Sequence, residues 1–284
     1  MAAKGRIGRV KASERTERIV LGAAGVMVAL VVWEGLTRGW WADLLTPVLG
    51  PAAERWRIKP IFLSSPSAIA VAFYRVFWVT GEIWSDLRTS AVEYALGFSL
   101  AAAVGIPLGL SAGWYRRFSY AVEPFLAALN ATPQVAFLPL IIMWAGIGLA
   151  SKVVVIFLLA VLPIAVNALA GVRTIDARLL RVARSFGSSE WRIFVTIIFP
   201  SSIPFLLTGL RLGVGRAMIG IVVGELYAAT AGIGFMINMA GASFQTDKVF
   251  VGVIIIAVAG LALIEVIGRV EQRVESWRPR VGAA

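Results

Sequence analysis

The chain has 284 residues, 59% hydrophobic and only 15% charged, a balance that water-soluble domains rarely reach and that indicates a polytopic membrane protein. It contains no cysteine and no histidine, which removes disulfides, thiol catalysis, histidine general bases and the usual zinc sites. The net charge of +11 sits at the ends of apolar runs, where membrane topology puts it, and so does not argue for nucleic acid.

Windows of about twenty apolar residues predict six spans in an all-α membrane protein. A basic cytoplasmic tail, residues 1–17, carries Lys4, Arg6, Arg9, Lys11 and Arg15 and leads into the first span, 18–38. This span lacks a small-residue cleavage pattern and reads as retained rather than as a signal peptide. Residues 39–87 form an external segment. Trp40 and Trp41 suit an interfacial aromatic belt, and Pro47, Gly50, Pro51 and Pro60 predict irregular chain. Residues 67–84 predict an amphipathic helix with Ile69, Phe73, Val76, Phe77 and Trp84 near one face, lying on the membrane or packed on neighbouring spans.

The core, 88–230, holds the second to fifth spans. In the second, 90–114, Gly97, Ala101, Gly105, Gly109 and Gly113 recur every fourth residue, as for helices in close approach within one subunit or across a dimer. The third, 120–144, is interrupted by Pro124, Pro133 and Pro139, as a structural kink or as a broken helix lining a transport route. The fourth, 151–172, has one charge, Lys152, near its outer end. The fifth, 204–229, repeats the small-residue device at Gly209 with Gly213 and at Gly220 with Gly224. An external loop, 231–248, the sixth span, 249–270, and a cytoplasmic tail, 271–284, complete the chain.

Basic residues set the orientation. Arg116 and Arg117, the group Arg173, Arg178, Arg181, Arg184 and Arg192, and Arg269, Arg273, Arg278 and Arg280 all fall on the side of the two termini, which is therefore expected to be cytoplasmic. The opposite face has Lys152 and Lys248 in its two short loops. Its long segment holds Arg55, Arg57, Lys59 and Arg75, but long loops obey the charge rule poorly.

The loop between spans four and five, 173–203, is patterned. Residues 176–186 predict a helix with an apolar stripe of Leu179, Leu180, Val182, Ala183 and Phe186. Gly187 stops it in a left-handed cap, and Ser188 or Ser189 starts a second helix through Trp191, Ile193, Phe194 and Ile197, ended by Pro200 and Pro204. A span-to-span connection needs only a few residues, so this loop is a docking element or an interfacial helix on headgroups.

Several polar groups lie inside spans. Arg216 falls roughly 18 Å from the start of its span at Pro204, near mid-membrane, where it would attract an anion or pair with an acid. Glu225 is a gate residue or an interfacial charge. Asn130, Gln134 and Asn167 bind a solute or tie helices together. Glu34, Glu93 and Glu265, near span ends, snorkel or pair at the surface. There is no phosphate-binding loop and no clustered acidic pair, so the chain is expected not to be an enzyme. A stand-alone secondary transporter or channel remains as an alternative, although the inverted repeats common in such proteins are not evident.

Within the patterned loop, Ala183, Gly187, Ile197, Phe199 and Pro200 are spaced as in the cytoplasmic coupling loop of ATP-binding-cassette importer permeases. Further text matches: SSPSAIA from Ser64, GFSLAAAVGIPLGL from Gly97, ATPQVAFLPLIIMWAGIGLASKV from Ala131, NALAGVRTID from Asn167, VARSFGSSEWRIF from Val182 and PSSIPFLLTGLRLGVGRAMIGIVVGE from Pro200. Together they cover most of residues 64–225 and resemble the nitrate, sulfonate and taurine permease family. Arg181 stands at that superfamily's acidic position, and Val182 at its first alanine.

The resemblance implies a type I ABC importer permease fold in a bacterial inner membrane. It implies a second permease subunit, by family habit a homodimer, and a periplasmic or lipid-anchored binding protein delivering solute. Two cytoplasmic ATPase subunits would hold ATP and magnesium, leaving no cofactor in this chain. Arg181, Ala183, Ser185, Gly187, Trp191 and Pro200 are then the ATPase-coupling residues. Asn130, Gln134, Asn167, Arg216 and Glu225 are the pathway candidates. The implied solute is a small anion, with thiamine precursors or riboflavin as the alternative.

Overall fold

The computed structural model of the chain describes residues 2–50 and 58–275. Pro51, Arg55, Arg57, Arg278 and Arg280 lie outside the described residues, as do the side chains of Lys4, Arg6, Arg9, Lys11, Arg15 and Trp41. Twelve α-helices and no strand are found among the described residues. Five helices are long and apolar enough to cross a membrane, or six when one bent pair counts as a single span. The chain divides into two compact units.

The first unit holds residues 1–81 and 240–251. Helix α1 (Ala2–Arg38) is followed by α2 (Trp40–Leu49), with Gly39 at φ 80° between them. Pro47 was expected in irregular chain but lies inside α2. So near the helix end it forfeits one hydrogen bond, and the Gly50 N–H closes the last turn on the Thr46 carbonyl. Helix α3 (Pro66–Tyr74), capped by the Ser65 hydroxyl, runs on into a π-helical turn (Arg75–Val79). Ile69 and Val76 are buried along it. Trp84 does not belong to this helix: Gly81 at φ 65° ends the segment first. Glu34 is tied down within the unit, accepting from the Ser67 N–H at 3.0 Å and hydroxyl at 2.6 Å and pairing with Arg38.

The second unit holds residues 82–239 and 252–284. Its centre is α7 (Leu149–Arg173), flanked by α4 (Ile83–Trp114) and α10 (Phe199–Ala228). Ile156, Ala160, Ile164, Ala165 and Ala168 of α7 are fully buried. The small-residue rows explain this. A Cβ on Gly97 of α4 would stand 2.6 Å from the Ile156 Cβ, and one on Gly220 of α10 would stand 3.0 Å from the Ile156 Cα. Both rows thus pack α7 from either side within one subunit. The second span starts seven residues earlier than the sequence suggested, at Ile83 rather than residue 90.

The third span is broken. Helix α5 (Arg116–Ala131) and the segment Gln134–Ala145, a 3-10 turn followed by α6 (Leu138–Ala145), meet at 92°. The cause is local. Pro133 forces Thr132 into extended backbone (φ −90°, ψ 135°), which no helix can pass through. Pro133 also has no N–H for the Leu129 carbonyl, and the Gln134 side-chain amide bonds that carbonyl instead, at 3.4 Å.

Two further expectations are corrected. Pro200 and Pro204 do not end the loop's second helix. That helix, α9 (Glu190–Ile193), passes through a π-helical turn (Phe194–Ile198) straight into α10, whose first turn accepts Pro200. The wider turn accommodates the proline ring and its missing donor. The loop 231–248 contains a helix, α11 (Ile233–Ala242), before α12 (Thr246–Glu275).

Candidate functional site

Four of the five pathway candidates come together. Asn130, Gln134, Asn167 and Arg216 line one groove of about 410 Å³, with Thr132, Pro163 and Val166 also on its wall. Its geometry follows from the broken helix: the turn at Thr132–Pro133 opens the space between α5, α7 and α10. Arg216 is exposed there, and among the described residues no carboxylate pairs with it. Asn167 bonds a carbonyl of its own helix, Pro163 at 2.8 Å, whereas Gln134 bonds the Leu129 carbonyl of α5 and so ties together the two halves of the broken span. The groove therefore offers one unpaired guanidinium beside amide groups, a set that suits an anion with several oxygens.

Glu225 lies elsewhere. It is 1% exposed, and its carboxylate accepts from the Ser90 hydroxyl at 2.5 Å and the Gly234 N–H at 2.6 Å. Ser90 in turn accepts from the Ile233 N–H at 2.9 Å, and Asp86 from the Gly232 N–H at 2.9 Å. These bonds collect the free N–H groups at the start of α11 onto α4 and α10. Beside them Lys152 forms an ion pair with Glu93, at 4% and 2% exposure. Lys152 was expected in an external loop and Glu93 at a surface, and both are instead buried in the helix core. The pairing spans elements far apart in sequence, and the only signal was a lysine set in an otherwise apolar span. Glu265 does pair at the surface, with Arg269 four residues on.

The loop after α7 forms two helices. Asp176 caps α8 (Ala177–Ser185) by accepting from the Arg178 N–H at 2.8 Å. Gly187, at φ 71°, closes it in a left-handed turn in which the Ser188 N–H reaches the Ala183 carbonyl at 3.2 Å. Ser189, one of the two expected caps, starts α9. The apolar residues of α8 split into two faces. Leu180 and Ala183 pack inward on a cluster with Ile193, Ile198 and Leu206. Leu179, Val182 and Phe186 point away, and Phe186 is 84% exposed. Trp191 is also exposed, at 74%, and stacks on Phe194. Arg184 bonds Glu190 at 2.9 Å and lies over the Trp114 ring. The hydrogen bond and charge of Glu190 raise the Arg184 pKa above its ordinary value. Arg181 and Ser185 are exposed on α8, and Pro200 lies half-buried past the π turn.

Comparison with known proteins agrees with this architecture. The family described as binding-protein-dependent transport system inner membrane component matches residues 105–276. The putative aliphatic sulfonates transport permease protein SsuC of Bacillus subtilis is 34% identical over 84% of this chain and 88% of its own length. The taurine transport system permease protein TauC of Escherichia coli is 33% identical over 87% and 90%. The riboflavin transport system permease protein RibX of Chloroflexus aurantiacus is 32% identical over 95% and 94%. Among solved structures, the inward-facing MetNI methionine ABC transporter aligns with a TM-score of 0.56 at 16% identity, covering 70% of this chain and 97% of that one. It shares the fold.

Proposed function

Since the chain belongs to the family of binding-protein-dependent transport system inner membrane components, we propose that its groove carries a small sulfonate-like anion and that its α8–α9 element couples the groove to ATP hydrolysis. The chain is the membrane-spanning permease subunit of an ATP-driven importer. ATP and magnesium are held by two partner ATPase subunits, and a binding protein delivers the solute to the outer face. The termini and the α8–α9 loop lie in the cytoplasm, a reading supported by the arginines of that loop under the charge rule. A second copy faces the groove across α10, where Leu212 and Ile219 leave an exposed apolar stripe beside Arg216.

The observation that carries the solute class is Arg216, a cation midway along a membrane helix with no acid beside it among the described residues. A permanent cation so placed is costly unless an anion visits it. The outward residues Leu179, Val182, Phe186 and Trp191 carry the coupling role, because apolar side chains on a charged loop suit a groove on a partner protein.

The test is uptake of radiolabelled taurine by vesicles holding the chain with its ATPase and binding protein. Arg216→Gln should lower uptake about tenfold or more, the scale of one charge-assisted hydrogen bond, and Arg216→Lys should retain part of it. Unchanged uptake in Arg216→Gln would remove the groove from the route. Riboflavin uptake in place of taurine would replace the anion by a heterocycle.

A further inference from the structure

The groove around Arg216 does not stop at Asn130. A second cavity of about 580 Å³ shares Asn130 and Val166 with it and continues along α5 and α7 to Glu123 and Arg173. Arg173 is six residues beyond Asn167, about 9 Å further along α7, and Glu123 is seven residues before Asn130, about 10 Å along α5. The two cavities thus lie side by side on α5 and α7, with Arg216 on the wall of one and Arg173 on the wall of the other.

At the far end the two residues face each other. The Arg173 Nη1 donates to one Glu123 oxygen at 3.1 Å, and its Nη2 pairs with the other. Nη2 also donates to the Ser119 hydroxyl at 2.7 Å, which itself donates to Glu123. The fork of the guanidinium is filled. Arg173 is also the last residue of α7, and Asp176, the cap of α8, follows three residues later. Whatever moves α8 therefore pulls on this pair with almost no intervening chain.

Building on the anion route argued above, we propose that Glu123 and Arg173 form its inner gate, with Arg173 the last binding station for the departing anion. When paired, Glu123 fills the arginine fork and presents negative charge to an approaching anion, so the path is shut. When α8 draws Arg173 away, the two N–H groups that held the carboxylate meet sulfonate oxygens of similar geometry. Partial exposure suits this role: side-chain exposures of 49% and 39% put the pair in the class of ion pairs that cost little to open. The buried Glu93–Lys152 pair has no such freedom.

The chain lacks cysteine, so two introduced thiols report on this pair alone. Glu123→Cys with Arg173→Cys, in the full complex with ATPase and binding protein, is treated with a short bismaleimide. Cross-linking should differ between the nucleotide-free and the ATP–vanadate-trapped complex by about fivefold or more. Equal yields in the two states overturn the gate. In vesicles preloaded with radiolabelled taurine, Glu123→Gln should leak without ATP, and the reversed pair Glu123→Arg with Arg173→Glu should seal again. A tight, fully coupled Glu123→Gln transporter also overturns the gate. Arg216→Gln in the same vesicles separates the two ideas: if it loses uptake while the gate variants behave as the parent, only the gate falls. If it transports normally, the route itself falls.

Discussion

Replacing Lys152 by methionine takes an ammonium away from a carboxylate that has no access to water. The two side chains are 5% and 3% exposed, so solvent screening gives no relief. One Glu93 oxygen already lacks a hydrogen-bond donor among the described residues. Breaking a buried pair on one side costs about 3–5 kcal/mol, because the charge left behind is uncompensated. Lys152→Met should therefore lower the thermal midpoint of the detergent-purified chain by about 5–10 °C, read by intrinsic tryptophan fluorescence. Glu93→Met should cost a similar amount. The double variant replaces both charges by apolar groups of like volume and should recover most of the loss. The decisive quantity is the coupling between the two sites. If Lys152→Met melts with the parent, or the double variant melts at the sum of the single losses, the two groups are not a compensated pair and this account of the core is wrong.

Gly187→Val should reduce binding-protein-stimulated ATPase activity and destabilise the loop by about 1–2 kcal/mol, because φ 71° is left-handed. No atom lies within 4 Å of the added Cβ, so Gly187→Asn, which tolerates that conformation, should retain far more activity than valine. Gly109→Ala should cost about 1–3 kcal/mol of thermal stability, since its Cβ would stand 2.5 Å from the Ala168 Cβ. Phe186→Ala should weaken co-purification of the ATPase by about tenfold, the scale of an interface anchor, while leaving the melting temperature of the isolated chain unchanged.

Much of this architecture is legible in the order of residues, because it rests on local causes. Apolar runs mark the spans, Pro133 breaks its helix through the residue beside it, and Gly187 supplies the one backbone shape that the α8–α9 turn needs. The small-residue rows announce a close contact, although not which helix they meet. What stays hidden depends on partners distant in sequence. Lys152 looks like a loop lysine until α4 brings Glu93 to it. Glu225 looks like a pathway acid until Ser90 and Gly234 claim its oxygens. Pro200 looks like a stop because proline usually is one, and only the π turn before it lets the helix continue. Arg173 and Glu123, 50 residues apart, read separately as a topology charge and an unremarked acid.

Helices that meet through long side chains slide by exchanging rotamers, as gears with play between their teeth. The contacts of α7 with α4 and α10 have no such play, because glycine brings backbone against side-chain stems at Gly97, Gly109 and Gly220. A slip along either contact would have to clear a whole ridge, about one turn or 5.4 Å. The three helices consequently turn together, as a single stiff plate. Changes of aperture then belong to joints outside the plate: the bend at Thr132–Pro133 between α5 and α6 and the turn at Gly187 between α8 and α9. Substitutions that stiffen either hinge should slow turnover while touching neither solute nor nucleotide.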